Sequence, residues 1–298
     1  MFVPVCFAVC GVGPLVPELP EVETMRRGVA VVTGSTIEMV QLVPCDCKPI
    51  RVEPKIKTFQ RRAVGRRVHE VGRVGKRVLL QLDSGDSIVF EPRMTGLVLV
   101  TDPPNVDHLR FRVALSGGRV RELWYWDRRG LGSVRLLSPR QLEEQFGPHK
   151  LGPDALLIEW ESLRARLKQS RRAIKVALLD QRIVAGIGNL YASEILHLAE
   201  IHPAQGCHRL TRQQWQAIHA AIGKILHTAI RYEGSTLSDG TYRNALNQSG
   251  GYQNEHRVYD RAGDTCPRCA QATIRRIVQA QRSTFFCPHC QSRRARRG

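Results

Sequence analysis

From about residue 37 to residue 137, short apolar stretches are broken by turn residues, and the pattern predicts β-strands. Residues 78–82, 87–91, 120–126 and 133–137 are rich in β-branched and aromatic side chains. Ser84-Gly85-Asp86 and Ser116-Gly117-Gly118 supply hairpin-type turns. An amphipathic helix is expected before them, over residues 21–32 and ending near Gly34. From Trp160 to about Tyr232 the spacing becomes helical, as in Ile174, Ala177 and Leu178 or Trp215, Ile218, Ala221, Ile222 and Ile225. Gly147-Pro148 to Pro153 reads as a linker. A Gly- and Ser-rich loop runs from Gly234 through Gly251, and a cysteine module closes the chain. The fold class expected is α+β and multi-domain. Residues 17–150 would form a β-sandwich, 151–250 a helical domain and 251–298 a metal-binding module with a basic tail. Residues 1–16 read as a mis-assigned start or a disordered extension.

Charge narrows the partner. The net charge is +18, from 45 Lys and Arg against 27 acidic residues. An excess this large, spread along the chain in pairs such as Arg61-Arg62, Arg128-Arg129 and Arg171-Arg172, points to a polyanion. No apolar run is long enough to cross a membrane. The segment 1–16 is apolar but lacks a basic n-region and an Ala-x-Ala site, so an export signal is disfavoured. Of nine cysteines, four form a metal pattern; Cys6, Cys10, Cys45, Cys47 and Cys207 are scattered. That usage suits a reducing cytoplasm. No seam for self-association stands out, and a monomer is expected.

Two motifs carry candidate chemistry. Cys266-Pro267-Arg268-Cys269 and Cys287-Pro288-His289-Cys290 are two C-x2-C knuckles, the pattern of a closed four-thiolate site. A closed site has no open coordination position, so one structural Zn2+ is expected, with Cys266, Cys269, Cys287 and Cys290 as ligands. Between the knuckles, Arg282 either reaches a nucleic-acid groove or is an ordinary solvated arginine. Gly186-Ile187-Gly188-Asn189 opens a helix and offers unpaired N–H groups, a ready phosphate site. Arg171, Arg172 and Lys175 would add charge where a nucleic-acid backbone passes.

Pro17-Glu18-Leu19-Pro20-Glu21-Val22-Glu23-Thr24 resembles the opening of the formamidopyrimidine-DNA glycosylases. The stretch from Ala173-Ile174-Lys175 through Gly188-Asn189-Leu190-Tyr191-Ala192-Ser193-Glu194 to Ile201-His202-Pro203 resembles that family's helix–two-turn–helix. Leu151-Gly152-Pro153 and Gln281-Arg282-Ser283-Thr284-Phe285 match its linker and zinc hairpin in the same order. The Pro-Glu-Leu-Pro opening favours the formamidopyrimidine branch over the endonuclease VIII branch. The resemblance implies an N-terminal β-sandwich, a helix–two-turn–helix domain and a four-cysteine zinc finger, acting on double-stranded damaged DNA as a bacterial base-excision-repair glycosylase and lyase.

The same resemblance assigns roles. Pro17 would be the amine nucleophile and Glu18 the acid that protonates the deoxyribose ring oxygen. Glu21 would be a second acid near the sugar, and Lys76 a lysine beside the lesion phosphate that assists β-elimination. Arg282 would grip the flanking phosphates and serve δ-elimination. Met94, Arg129 and an aromatic wedge would fill the hole left by the flipped base; here the wedge position is Leu131. His108 would belong to a DNA-contacting loop, Asn189 would meet a phosphate, and residues 238–252 would form a lesion-capping loop.

One requirement is chemical. Only an N-terminal proline has a secondary amine; within a chain its nitrogen is a tertiary amide and cannot attack. Val16 directly precedes Pro17, and a GTG codon read as valine initiates as methionine. A start at Val16, followed by loss of that methionine, would free Pro17. Two readings therefore stand: an active enzyme on oxidised purines, or a damaged-DNA-binding protein with a blocked amine. A generic zinc-ribbon protein accounts for the cysteines alone.

Overall fold

The computed structural model describes residues 16–236, 240 and 242–292. Residues 1–15, with Cys6 and Cys10, and the basic tail from 293 lie outside the described residues, as do residue 237 and, in the expected capping loop, 238, 239 and 241.

Helix α1 (Leu19–Val29) starts at Glu18, whose N–H donates to the Glu21 carboxylate at 3.0 Å. Pro20 sits in the first turn, where its missing N–H costs nothing. A 3-10 turn at Ala30–Val32 follows, and Gly34 takes φ +87° to turn the chain. Next come β1 (Thr36–Leu42), β2 (Arg51–Glu53), α2 (Ile56–Ala63), β3 (Val68–Val74), β4 (Arg77–Leu82) and β5 (Ser87–Glu91). The region closes with β6 (Gly96–Leu99), β7 (Leu109–Ser116), β8 (Glu122–Asp127) and β9 (Ser133–Leu137).

Two sheets face each other, one in the order β1-β7-β8-β6 and the other β2-β9-β5-β4-β3. Phe59, Phe90, Phe111 and Tyr125 fill the space between them, and α1 adds Val22, Met25 and Val29. The expected sandwich is present. The spacing did not reveal α2 or the exposed α3 (Pro139–Phe146), each only eight residues long. In α2 the core contact is Phe59 and Ala63, too short an apolar stripe to stand out among basic neighbours.

The second half is helical: α4 (Trp160–Leu167), α5 (Ile174–Leu178), α6 (Asn189–Leu198) and α7 (Arg212–Arg231). Its core around Leu190, Tyr191, Trp215 and Ile222 runs without a break into Phe285, Cys266 and Cys287. The closing hairpin, β10 (Arg275–Gln279) with β11 (Arg282–Phe286), is thus packed on the helices.

Three links join the halves. Leu19 belongs to the helical core, and its N–H donates to the Gly186 carbonyl at 3.0 Å. Arg73 on β3 bonds Glu23 at 3.0 Å and Asp154 at 2.6 Å. Tyr242 and Ala245 cross back into the sandwich core.

Candidate active site

Between the halves lies a cavity of about 570 Å3, lined by Pro17, Glu18, Lys76, Asn189, Tyr259 and Arg282, among others. Each comes from a different place in the chain. Pro17 and Glu18 lead into α1, Lys76 sits at the β3–β4 turn, Asn189 opens α6 and Arg282 begins β11.

Glu18 is buried, and its carboxylate lies at the N-terminus of α6. It accepts from the N–H groups of Gly188 at 2.6 Å, Leu190 at 2.9 Å and Tyr191 at 3.4 Å. This corrects one expectation from the sequence. The glycine-rich helix opening predicts a phosphate site, but the protein's own carboxylate occupies it, for the same electrostatic reason. Glycine is required on both sides of the contact. A Cβ at Gly188 would overlap the Glu18 carboxylate, and Gly186, at φ +108°, would collide with Leu19.

Burial above all, and after it the nearby Glu21, raise the Glu18 carboxyl to about 7. The positive charge of Lys76 and the backbone donors oppose this without cancelling it. Glu21 is also buried and raised, by burial above all. It accepts from the Tyr191 hydroxyl at 2.6 Å and the Ser235 N–H at 2.9 Å. Lys76 is half-buried, and burial lowers its ammonium against the opposing pull of Glu18 and Glu21.

Lys175 also differs from expectation. It is 1% exposed rather than lying on a DNA-facing surface. Its ammonium donates to Asn189 Oδ1 at 2.6 Å, the Ser283 carbonyl at 3.0 Å and Thr284 Oγ1 at 2.7 Å. All three donors are used within the protein, and burial brings the group down to about 7. Lys175 ties the zinc hairpin to α6 and fixes the Asn189 amide, whose oxygen is engaged. Asn189 itself lines the cavity, and Arg171 is exposed.

The four cysteines converge as the spacing requires. Their sulfurs lie within 4.8 Å of one another, with Cys266–Cys290 at 3.9 Å and Cys269–Cys287 at 3.8 Å. A tetrahedron of Zn–S bonds of about 2.3 Å has edges of about 3.8 Å, so the four thiols fit Zn2+. None of them lines the cavity.

Sequence reasoning missed Tyr191, Tyr259 and Glu194. Glu194 is buried and accepts from the N–H groups of Arg257, Val258 and Tyr259, which holds the stretch of chain leading to the zinc module. The carboxylate of the Tyr-Ala-Ser-Glu run was its only sequence signal.

Comparison with known proteins decides the family. Residues 16–134 match the formamidopyrimidine-DNA glycosylase N-terminal domain, 151–241 its H2TH domain, and 263–293 a zinc finger found in FPG and IleRS. The formamidopyrimidine-DNA glycosylase of Chloroflexus aurantiacus is 42% identical over 280 residues, 92% of this chain and 97% of its own. The chain belongs to the formamidopyrimidine-DNA glycosylase family. The crystal structure of MutM (Fpg) from Thermus thermophilus superposes with TM-score 0.80 at 36% identity, covering 94% of this chain and all (100%) of that one. A complex of Lactococcus lactis Fpg with DNA containing an abasic site gives TM-score 0.81 at 31% identity, covering 93% and 100%.

The remaining glycosylase-like positions lie on the sandwich side. Arg129 donates to the Met94 sulfur at 3.1 Å, so these two expected gap-fillers already touch. Leu131 follows on the same loop, half-buried. Asp127 shapes that loop by accepting from the N–H groups of Arg129 at 3.1 Å and Gly132 at 2.8 Å. His108 packs edge-on against Trp126, with ring centroids 5.4 Å apart.

Proposed function

We propose that this protein is a base-excision-repair glycosylase and lyase that removes oxidised purines, 8-oxoguanine and formamidopyrimidines, from double-stranded DNA. One observation carries the reading most. A carboxyl group held protonated to about pH 7 stands beside Pro17, with Lys76 and Arg282 on the same cavity.

In the proposed sequence the damaged nucleotide is flipped into the cavity, with Met94, Arg129 and Leu131 taking its place in the stack. The secondary amine of Pro17 attacks the anomeric carbon, and the damaged base departs. Glu18 gives its proton to the ring oxygen, the sugar opens, and an iminium joins Pro17 to the DNA. Lys76 and Arg282 hold the phosphates on either side while two eliminations cut the strand. Zn2+ has no step in this scheme; when bound, it holds the hairpin that presents Arg282. The protein is proposed to act as a monomer in the bacterial cytoplasm, on nucleoid DNA.

The amine must be free. A chain started at Val16 and trimmed of its initiator supplies that, and the match to the family's N-terminal domain beginning at residue 16 supports it. Borohydride trapping tests the reading on an 8-oxoguanine:cytosine duplex, with protein beginning at Pro17 and protein beginning at Met1. A covalent adduct from the Pro17 form alone is expected. No adduct from either removes the lyase assignment and favours a damage-binding protein with a blocked amine.

A further inference from the structure

The loop between β1 and β2 carries Cys45-Asp46-Cys47, which the proposed reaction does not use. Both are free thiols; Cys47 is exposed and Cys45 partly so. The chain bends at residues 46 and 47, and the Cys47 N–H donates to the Cys45 sulfur at 3.4 Å. That 3.4 Å contact folds the Cys45 side chain back toward Cys47, and with only one residue between them two Cα atoms lie at most about 7 Å apart, close to the upper limit of about 6.8 Å for a disulfide.

In the thiol state both sulfurs are tied to loops proposed to meet DNA. Cys45 donates to the Asp107 carbonyl at 2.9 Å and accepts from the Arg110 guanidinium. Cys47 lies 3.7 Å from Nδ1 of His108. Arg110 is buried and donates onward from Nε to the Asp127 carbonyl at 2.8 Å, at the root of the loop bearing Arg129 and Leu131. A second contact couples the two loops. Gly130 takes φ +59°, and a Cβ there would overlap the Lys48 carbonyl oxygen. The guanidinium on Cys45 argues against a metal cation on the same sulfur.

We propose that Cys45 and Cys47 form a reversible disulfide in response to peroxide, and that its formation loosens the Arg129–Leu131 loop. Hydrogen peroxide transfers one oxygen to the exposed Cys47 thiol, giving a sulfenic acid and one water. The Cys45 thiol attacks that sulfur, the S–S bond forms, and the oxygen leaves as a second water. Two thiols lose two electrons and the peroxide gains them; a dithiol reverses the step. Turning toward Cys47 removes the Cys45 sulfur from Arg110. One terminal nitrogen of Arg110, Nη2, already lacks a partner, so the buried guanidinium keeps only its bond to Asp127 and must rearrange.

The consequence for DNA rests on the function proposed above, whereas the disulfide does not. The test uses the full chain loaded with zinc, treated with hydrogen peroxide. Mass spectrometry of the peptide holding both cysteines, zinc content, and affinity for a duplex carrying a tetrahydrofuran abasic-site analogue are followed together. The peptide is expected to lose two hydrogens before zinc is released, and affinity to fall roughly 2- to 30-fold. Dithiothreitol should restore it, and the double variant Cys45→Ser/Cys47→Ser should keep its affinity under peroxide. The proposal is overturned if both remain thiols until zinc leaves, if the bridged protein binds as tightly as the reduced one, or if they bind a second zinc with His108. Failure of the reduced protein to bind this duplex would instead remove the functional reading and the loop's role, while the mass of the peptide still decides the disulfide.

Discussion

The N–H of Gly188 donates to the carboxylate of Glu18 at 2.6 Å, across 170 residues of sequence. This contact places the proposed acid by means of the helical half, although Glu18 belongs to the N-terminal segment. The first prediction follows from it. Gly188→Ala sets a methyl group on the carboxylate, which has no room to retreat among buried neighbours. Excision is expected to fall at least about 100-fold, since a small displacement of a reacting group costs that much. Duplex affinity and far-UV circular dichroism should stay near those of the parent, which single-turnover assays and binding titrations would check.

Glu18→Gln keeps the shape and removes the proton. Excision should drop by roughly 100- to 10,000-fold, the usual range for a general acid. In the parent, activity should fall as the pH rises through about 7, because burial holds the carboxyl protonated up to there. Stability has the same sign. The folded group keeps its proton to about 7 against 4.5 for the ordinary value, so its contribution is complete below 4.5 and is lost as pH rises through 7. A pH–rate profile without this alkaline limb would exclude Glu18 as the acid.

His256 acts on stability at the acid end. Its ring accepts from or donates to Ser235 Oγ at 3.0 Å, and burial, then Arg261, bring it down to about 4. A depressed histidine contributes stability above about 6.5 that disappears as pH falls through 4. The melting temperature should therefore decline over this window, and less steeply in His256→Gln.

Arg73 is the bridge between halves, with Glu23 on one side and Asp154 on the other. Burial opposes ionisation of Glu23, but hydrogen bonds from Arg26, Arg27 and Arg73 outweigh it and hold the carboxyl down at about 2. Arg73→Ala leaves Asp154 without this partner and should cost about 3 kcal/mol in urea unfolding. A loss below about 1 kcal/mol would mean that solvent replaces the bridge.

Zinc removal should act on DNA binding first. One Zn2+ per chain is expected by metal analysis. Its chelation should release the hairpin bearing Arg282, while the sandwich core, which shares no residue with the cysteine cluster, stays folded. Duplex affinity should collapse and near-UV signals from Trp124 and Trp126 should persist. Simultaneous loss of both would show that the zinc module supports the whole chain.

Much of this protein is local in origin and readable from its sequence. Most strands and the longer helices follow from periodicity, though not the short α2 and α3, and two C-x2-C knuckles define a sulfur tetrahedron because each turn brings its own pair together. Charge alone indicates a polyanion. The identities of Pro17, Glu18, Lys76 and Arg282 as candidates came from motif resemblance. What periodicity could not give was the use of each group. Whether a helix N-terminus holds a phosphate or Glu18, and whether Lys175 meets DNA or braces Asn189 and Thr284, depends on which side chain arrives from a distant part of the chain. The same is true of protonation. A glutamate in the sequence is an ordinary carboxylate, and it becomes a candidate acid only when folding removes its water and brings Glu21 beside it. Sequence determined the chemistry available, and tertiary structure decided, through burial and long-range contact, where it is held and in which state.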